Sequence, residues 1–217
     1  IYEMKPNRED QFDFIAWKKG EYTVESKNNM REVISIDKDA DEIVVSGQWK
    51  VKFPGISQDS VVFPSLQSWT ENSDEEIRYF SGIATYHKEF DVPQEFNNKD
   101  KKLILDLGGV KLLADVYLNG RHVGILWKYP YCADITDDIK PGKNNLVIEV
   151  ANTWSNRLTG DAMLPEHERK TKTKTNIEYT RGPLMQGALW KDAPLIRSGL
   201  LGPVKIMSIE KMTLSLD

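Results

Sequence analysis

Trp154, Asn156, Arg157 and Asp161 place a flat aromatic ring, an amide, a guanidinium and a carboxylate within eight residues of one another. A sugar presents one apolar ring face and a rim of hydroxyls, so a ring beside bidentate hydrogen-bonding partners is the set a lectin-like site needs. The same residues admit a structural arrangement, in which Arg157 and Asp161 form a salt bridge that fixes a loop and Trp154 plugs one end of the fold. Trp127, Tyr129 and Tyr131 form a second set. Their alternation points them to one side, either as an aromatic platform or, as the spacing favours, as core filling. Asp161, Glu166 and Glu168 could supply paired carboxylates for glycoside chemistry at a separation of ~5 to 9 Å. They fall in a segment without periodicity, where solvated loop charge is the simpler reading.

Other chemistry is missing. The chain has no Gly-x-Ser-x-Gly elbow, no phosphate loop ending in Gly-Lys-Ser/Thr, no Gly-x-Gly-x-x-Gly and no His-Glu-x-x-His. His167-Glu168 continues as Arg-Lys-Thr, and His87 and His122 lie far from it in sequence. One cysteine, Cys132, excludes an internal disulfide and a cysteine-cluster metal site, and reads as a small apolar residue. A net charge of −4 with interspersed Lys and Arg gives no reason to expect a nucleic acid or an anionic membrane. The basic run from Arg169 to Lys174 lacks the interleaved aromatics of a single-strand binder. No apolar run approaches the ~20 residues of a membrane-spanning helix. The chain begins at Ile1, which reads as the start of a piece of a longer polypeptide.

The elements that must position these residues are short strands. The clearest signal is Asn119-Gly120, the dipeptide that best supports the two positive φ angles of a type I′ turn. That turn predicts the pairs Leu118 with Arg121, Tyr117 with His122, Val116 with Val123, Asp115 with Gly124 and Ala114 with Ile125. Ala114, Val116, Val123 and Ile125 would then share the buried face. Period-two alternation recurs at Trp49, Val51 and Phe53; at Ala84, Tyr86, Lys88 and Phe90; at Leu103, Leu105 and Leu107; at Leu146, Ile148 and Val150; and at Val204, Ile206 and Ser208. Leu66-Gln67-Ser68-Trp69 reads as a short helix docked by its indole, and Thr136 as the N-cap of one turn carrying Asp137 and Asp138. Residues 155 to 194 read as a long irregular stretch, with the run ERKTKTKTN solvated and mobile. This pattern predicts an all-β antiparallel sandwich, a jelly roll with short helical turns only. Residues 1 to 45 form a strand-rich segment, read as the tail of a preceding domain, and residues 46 to 217 form the jelly-roll domain.

Several phrases form one ordered series: Trp49-x-Val-x-Phe53-Pro54, Leu66-x-Ser68-Trp69, Tyr79-Phe80-Ser81-Gly82-x-Ala84-x-Tyr86, Leu105-Asp106-Leu107-Gly108, Val116-x-Leu118-Asn119-Gly120, Asp134-Ile135-Thr136 and Gly142-x-Asn144-x-Leu146. The series resembles the galactose-binding-like β-sandwich of glycoside hydrolases, including family 2 sugar-binding domains. Its continuation, Asn152-x-Trp154-x-Asn156-Arg157-Leu158-x-Gly160-Asp161 and then Ser198-Gly199-Leu200-Leu201-Gly202-Pro203-Val204, resembles the C-terminal region of family 106 α-L-rhamnosidases. Where relatives often read Trp-Lys-Pro-Pro, this chain has Trp127-Lys128-Tyr129-Pro130, which adds a ring.

The resemblance implies a non-catalytic carbohydrate-binding or scaffolding module of a polysaccharide-degrading glycosidase of α-L-rhamnosidase type. A purely structural sandwich is the alternative, and an independent glycosidase a more distant one. The resemblance also implies a catalytic domain in the same polypeptide, a plant-type oligosaccharide or polysaccharide as ligand, and a periplasmic or secreted location. No cofactor is required. A structural calcium, which such sandwiches often hold through loop oxygens, would draw on Asp106, Asp134 and Asp137.

Overall fold

The computed structural model describes residues 2–6, 11–16, 18–25, 31–56, 60–96, 101–171 and 189–214. The early strands are β1 (Tyr2–Pro6), β2 (Phe12–Ala16), β3 (Gly20–Glu25), β4 (Arg31–Ile36), β5 (Asp41–Val44), β6 (Trp49–Lys52) and β7 (Val61–Phe63). After helix α1 (Glu75–Arg78) come β8 (Ile83–Val92), β9 (Lys101–Asp106), β10 (Gly109–Lys111), β11 (Leu113–Leu118), β12 (Arg121–Leu126), β13 (Cys132–Asp134) and β14 (Gly142–Ala151). Helix α2 (Ser155–Ala162) follows, and β15 (Gly199–Gly202) and β16 (Lys205–Leu214) end the chain.

The molecule is an all-β antiparallel sandwich. One sheet runs β12-β11-β14-β8-β6-β7, and the other runs β1-β2-β16-β9-β13 with β5 also on β16. Every strand that showed clean alternation turns its apolar set inward: Val51, Tyr86, Val116 and Ile148 of the first sheet meet Leu103, Leu105 and Ile206 of the second, all of them buried. Val204, Ile206 and Ser208 are buried as well. The last strand ties in the N-terminal segment. β5 pairs along Lys205–Ser208, and β2 pairs farther on along Lys211–Leu214. Burial of Phe14, Ala16, Ile34 and Leu214 forms a small second core there, under the β3-β4 hairpin.

The central hairpin has its turn as expected, with Asn119 at φ 53° and Gly120 at φ 82°. Its register holds for Leu118↔Arg121 and Tyr117↔His122 and then slips by one residue, to Val116↔Gly124, Asp115↔Ile125 and Ala114↔Leu126. The extra residue, Val123, forms a bulge beside Gly124, whose φ of 148° suits glycine. The slip corrects the inward set: Ile125 is exposed and Leu126 packs against the core in its place.

Two other local expectations change. Asp134, not Thr136, caps the turn after β13: its Oδ1 accepts from the Thr136 N–H at 3.1 Å and from the Thr136 hydroxyl at 2.6 Å. The Thr136 oxygen is thereby free to accept the Leu103 N–H at 3.0 Å, which fastens the turn to β9. The stretch after Trp154 is helical rather than irregular. Asn, Thr and Gly are poor interior helix residues, and α2 forms because tertiary bonds hold it. The tail of the run ERKTKTKTN, from Lys172 onward, lies outside the described residues. Ser68 caps a single 3₁₀ turn, Trp69–Glu71, and the indole of Trp69 is fully buried, as its sequence suggested.

Candidate functional site

Helix α2 separates the first set of residues by direction. Asn156 is buried and its amide clamps the segment ahead of β15: Nδ2 donates to the Ile196 carbonyl at 2.8 Å and to Ser198 Oγ at 3.0 Å, while Oδ1 accepts the Ile196 N–H at 2.8 Å. Asn152 works alongside it, accepting the Gly82 N–H at 2.9 Å and donating to the Phe80 carbonyl and Ser198 Oγ. One helical turn apart, Arg157 Nε and Asp161 Oδ1 form an ion pair at 2.9 Å, with the carboxylate fully buried. Asp161 Oδ2 takes the Thr171 N–H at 2.6 Å and the Thr171 hydroxyl. The guanidinium lies over the Tyr79 ring, 5.8 Å from its centroid. This helix must pass close to Tyr79: a Cβ on Gly160 would stand 2.7 Å from the Tyr79 ring and 2.5 Å from Arg157.

The Asn-Arg-Leu-x-Gly-Asp phrase is therefore a joint between the end of β14, the start of β8 and the segment before β15. Its amide and carboxylate are occupied inside the protein. Trp154 is different. It precedes the helix with its side chain 67% exposed, so it does not plug the sandwich end.

The second set also departs from core filling. Trp127 is 67% exposed and Tyr129 74% exposed, while Tyr131 is half-buried with its hydroxyl 3.5 Å from the Leu112 carbonyl. The reason lies in where β12 stops. β12 ends at Leu126, the last residue paired with β11, so the following residues have left the sheet and no longer alternate between two packed faces. Because Ala114 pairs with Leu126 and Leu113 with Ala151, Trp127 and Trp154 emerge at the same end of the first sheet, beside exposed Leu112.

Tyr129 faces a cleft of about 420 Å³ over the outer side of the second sheet. Its floor is built from paired residues, Cys132 beside Asp106 and Asp106 beside Lys205. Its far wall comes from Lys18, Asp39 and Glu42. Sequence reasoning missed these three, because they reach the site only through tertiary pairing, Asp39 and Glu42 through β5 and the loop before it and Lys18 through the connection from β2 to β3, and no local pattern marks them.

The three acidic residues considered for calcium are not gathered. Asp106 Oδ1 accepts the Gly108 N–H at 2.8 Å, Asp134 Oδ2 meets Lys102 Nζ at 2.8 Å, and among the described residues no group of three or more His, Cys, Asp or Glu side chains is arranged to hold a metal ion. Burial acts to raise the Asp134 carboxyl pKa, but Lys102 and Thr136 together bring it below the ordinary value. On the solvent face of the first sheet His122 Nε2 approaches Asp115 Oδ1 at 2.6 Å, and Tyr117 donates to Asp115 Oδ2 at 3.2 Å. A second acid stands beside it: Glu149 pairs with Asp115 across β14 and β11, and the Tyr117 pKa is raised first by its hydrogen bond to Asp115 and in smaller part by the Glu149 charge.

With this geometry in place, known proteins offer a consistent comparison. A family model described as glycosyl hydrolase 2 galactose-binding domain-like matches residues 66–198. A provisionally named beta-glucuronidase of Formosa agariphila is 43% identical over 180 residues, covering 76% of this chain and 15% of that protein. A beta-glucuronidase of Bacteroides fragilis is 30% identical over 125 residues, covering 55% of this chain and 18% of that one. Among solved structures, a rhamnosidase from Novosphingobium sp. PP1Y superposes with a TM-score of 0.62 at 26% identity, covering 95% of this chain and 25% of its own. The chain thus spans a quarter or less of the length of each of these three proteins.

Proposed function

Because the chain belongs to the glycosyl hydrolase 2 galactose-binding-like domain family, we propose that it is a non-catalytic module of a larger polysaccharide-degrading glycosidase, with both a scaffolding and a carbohydrate-contacting role. The observation that carries this reading is the exposure of Trp127, Tyr129 and Trp154, while Trp49, Trp69 and Tyr86 are buried. Large rings left in water at the ends of strands are the apolar platforms on which sugar faces stack. The α-L-rhamnosidase type is the reading we prefer, supported by the rhamnosidase structure that matches 95% of this chain with a quarter of its own length. The beta-glucuronidase relatives share the sandwich and leave glucuronides as the competing substrate class. The catalytic domain of the same polypeptide is its proposed partner, a plant-type polysaccharide its ligand, and the periplasm or the exterior its location.

Catalysis by the chain alone has little to work with. Asp161 is sealed in its ion pair, and Glu166 and Glu168 stand exposed on a 3₁₀ turn. The test is to incubate the 217-residue chain with aryl α-L-rhamnoside and aryl β-glucuronide and to titrate it with rhamnose-containing oligosaccharides. Binding without turnover is expected, and turnover of either aryl glycoside would overturn the non-catalytic reading. The purely structural alternative draws on the internal use of Asn156 and Asp161. It predicts neither heat nor chemical-shift change at millimolar sugar.

A further inference from the structure

The cleft beside Tyr129 has the makings of a pocket for one sugar unit, and its hydrogen-bonding inventory indicates which kind. Asp106 spends Oδ1 on the Gly108 N–H, and Asp39 spends Oδ1 on the Lys19 N–H at 2.8 Å. The second oxygen of each carboxylate takes no hydrogen bond among the described residues, so each cleft carboxylate keeps an acceptor for a hydroxyl donor. Lys205 is occupied, its Nζ lying 2.7 and 2.9 Å from the two oxygens of Glu42. Lys18 has no ion pair among the described residues. Three carboxylates thus face two ammonium groups, one of which is already neutralised. The balance is negative, which disfavours an anionic ligand and suits one that donates O–H groups.

The walls fit the same ligand. Tyr129 supplies a ring 74% exposed at the mouth, and Cys132 and Met207 make part of the floor apolar. A volume of about 420 Å³ lies in the range of small-molecule pockets. We propose that this cleft binds a single neutral pyranose, with its apolar face on Tyr129 and adjacent hydroxyls donating to Asp106 and Asp39. The assignment rests on the carbohydrate-binding reading above and gives that reading a location and a ligand class.

The test is amide chemical-shift mapping of the isotope-labelled chain with methyl α-L-rhamnopyranoside, methyl α-D-glucopyranoside and methyl β-D-glucuronide. Shifts centred on Asp106, Tyr129, Lys205 and Glu42 with at least one neutral glycoside, and at least tenfold weaker binding of the glucuronide, are expected. Asp106→Asn retains an Oδ1 acceptor for Gly108 while removing the charge, and with Tyr129→Ala it should raise Kd at least tenfold with the circular dichroism spectrum unchanged. Glucuronide binding as tight as that of the neutral sugars would overturn the ligand class. Shifts confined to Trp127 and Trp154 would overturn the cleft and leave carbohydrate binding standing, whereas silence with all three sugars would remove both.

Discussion

The indole Nε1 of Trp69 donates to the hydroxyl of Tyr86 at 2.6 Å in the middle of the sandwich, where both side chains are shut off from water. The same hydroxyl accepts the Leu200 N–H at 3.2 Å. One phenol oxygen therefore satisfies two buried donors, from the loop before α1 and from β15, and joins them to a central strand of the first sheet. Burial pushes the Tyr86 pKa up to about 12.

Removing that oxygen strands both donors. Tyr86→Phe should lower stability by about 1–3 kcal/mol near pH 7, since a buried donor without an acceptor costs that much. Below the unfolded pKa of ~10 the phenol is neutral in both states and its contribution is whole. Above it the unfolded chain ionises first, and wild-type stability should fall by about 1.4 kcal/mol per pH unit until the folded group ionises as well. Urea melts of the two proteins at pH 7, 10 and 11.5 should show the gap between them narrowing as pH rises. A gap that widened would contradict the assignment.

Gly199 lies against the same pair. With φ at 100°, a Cβ there would stand 2.5 Å from Trp69 Nε1 and 2.8 Å from the Tyr86 oxygen. Gly199→Ala combines backbone strain with overpacking, each costing about 1–3 kcal/mol. A loss of several kcal/mol in denaturant melts is expected, against only about 1 kcal/mol for Gly55→Ser, because Gly55 has the same sign of φ but open space around it and adds no overpacking to the backbone strain.

The Arg157–Asp161 pair is expected to behave as a buried one. Asp161→Ala leaves a guanidinium only 11% exposed without its counter-ion and deprives Thr171 of its acceptor, which should cost about 3–5 kcal/mol. Adding Arg157→Leu to the same protein should recover part of the loss, because the uncompensated charge is gone. If Asp161→Ala melts like wild type and instead weakens sugar binding, the carboxylate belongs to a site and not to a joint.

How far the sequence could be read follows from how local each cause was. Period-two runs such as Trp49-Val51-Phe53 and Leu146-Ile148-Val150 determine which face is inside, and Asn119-Gly120 determines a turn, because both causes lie within a few residues. The slip at Val123 was illegible, since a bulge depends on how β12 meets β11 and not on either strand alone. Helix α2 was missed for a related reason: its propensity is poor, and what holds it arrives from Ile196 and Thr171, 40 and 10 residues from the side chains they meet. Trp154, Asn156, Arg157 and Asp161 were legible as a cluster but not by direction: Trp154 precedes the helix and stays exposed, while Asn156 and Asp161 are turned inward by partners distant from them in sequence or beyond the helix, Ile196 and Thr171. The cleft wall at Lys18, Asp39 and Glu42 came together only through the pairing of both β2 and β5 with β16.

Metal removal should change nothing in the fold. Asp134 already has Lys102 Nζ at 2.8 Å and the Thr136 hydroxyl at 2.6 Å, so its charge is compensated without a cation. A chelator is expected to leave the melting temperature unchanged, and a drop restored by calcium would show a bound ion. Because the folded Asp134 pKa lies below the ordinary value, its contribution is present above the unfolded pKa of ~4 and is lost as pH falls through the folded one. The group is partly exposed, so Asp134→Asn should cost no more than about 1 kcal/mol at pH 7, a cost that shrinks as the pH falls through the folded pKa.

Trp154 and Trp49 offer the sharpest contrast between a ring that builds the fold and one that faces its surroundings. Trp49 is 1% exposed, packs edge-on against Tyr86 at 6.3 Å and carries Lys88 over its ring at 5.7 Å. Trp49→Ala should cost about 3–5 kcal/mol through the cavity it leaves. Trp154→Ala removes a ring already 67% in water and should stay within about 0.5 kcal/mol of wild type. In the structural reading of the sequence Trp154 was a plug, and its loss would unfold the sandwich; the exposed position reverses that expectation. Denaturant melts of the two variants measure the difference directly. Paired with Trp127→Ala at the same sheet end, Trp154→Ala should then weaken binding of a rhamnose-containing oligosaccharide in a fluorescence titration while leaving the melt unchanged. That separation of stability from affinity is what a surface platform requires and a core plug forbids.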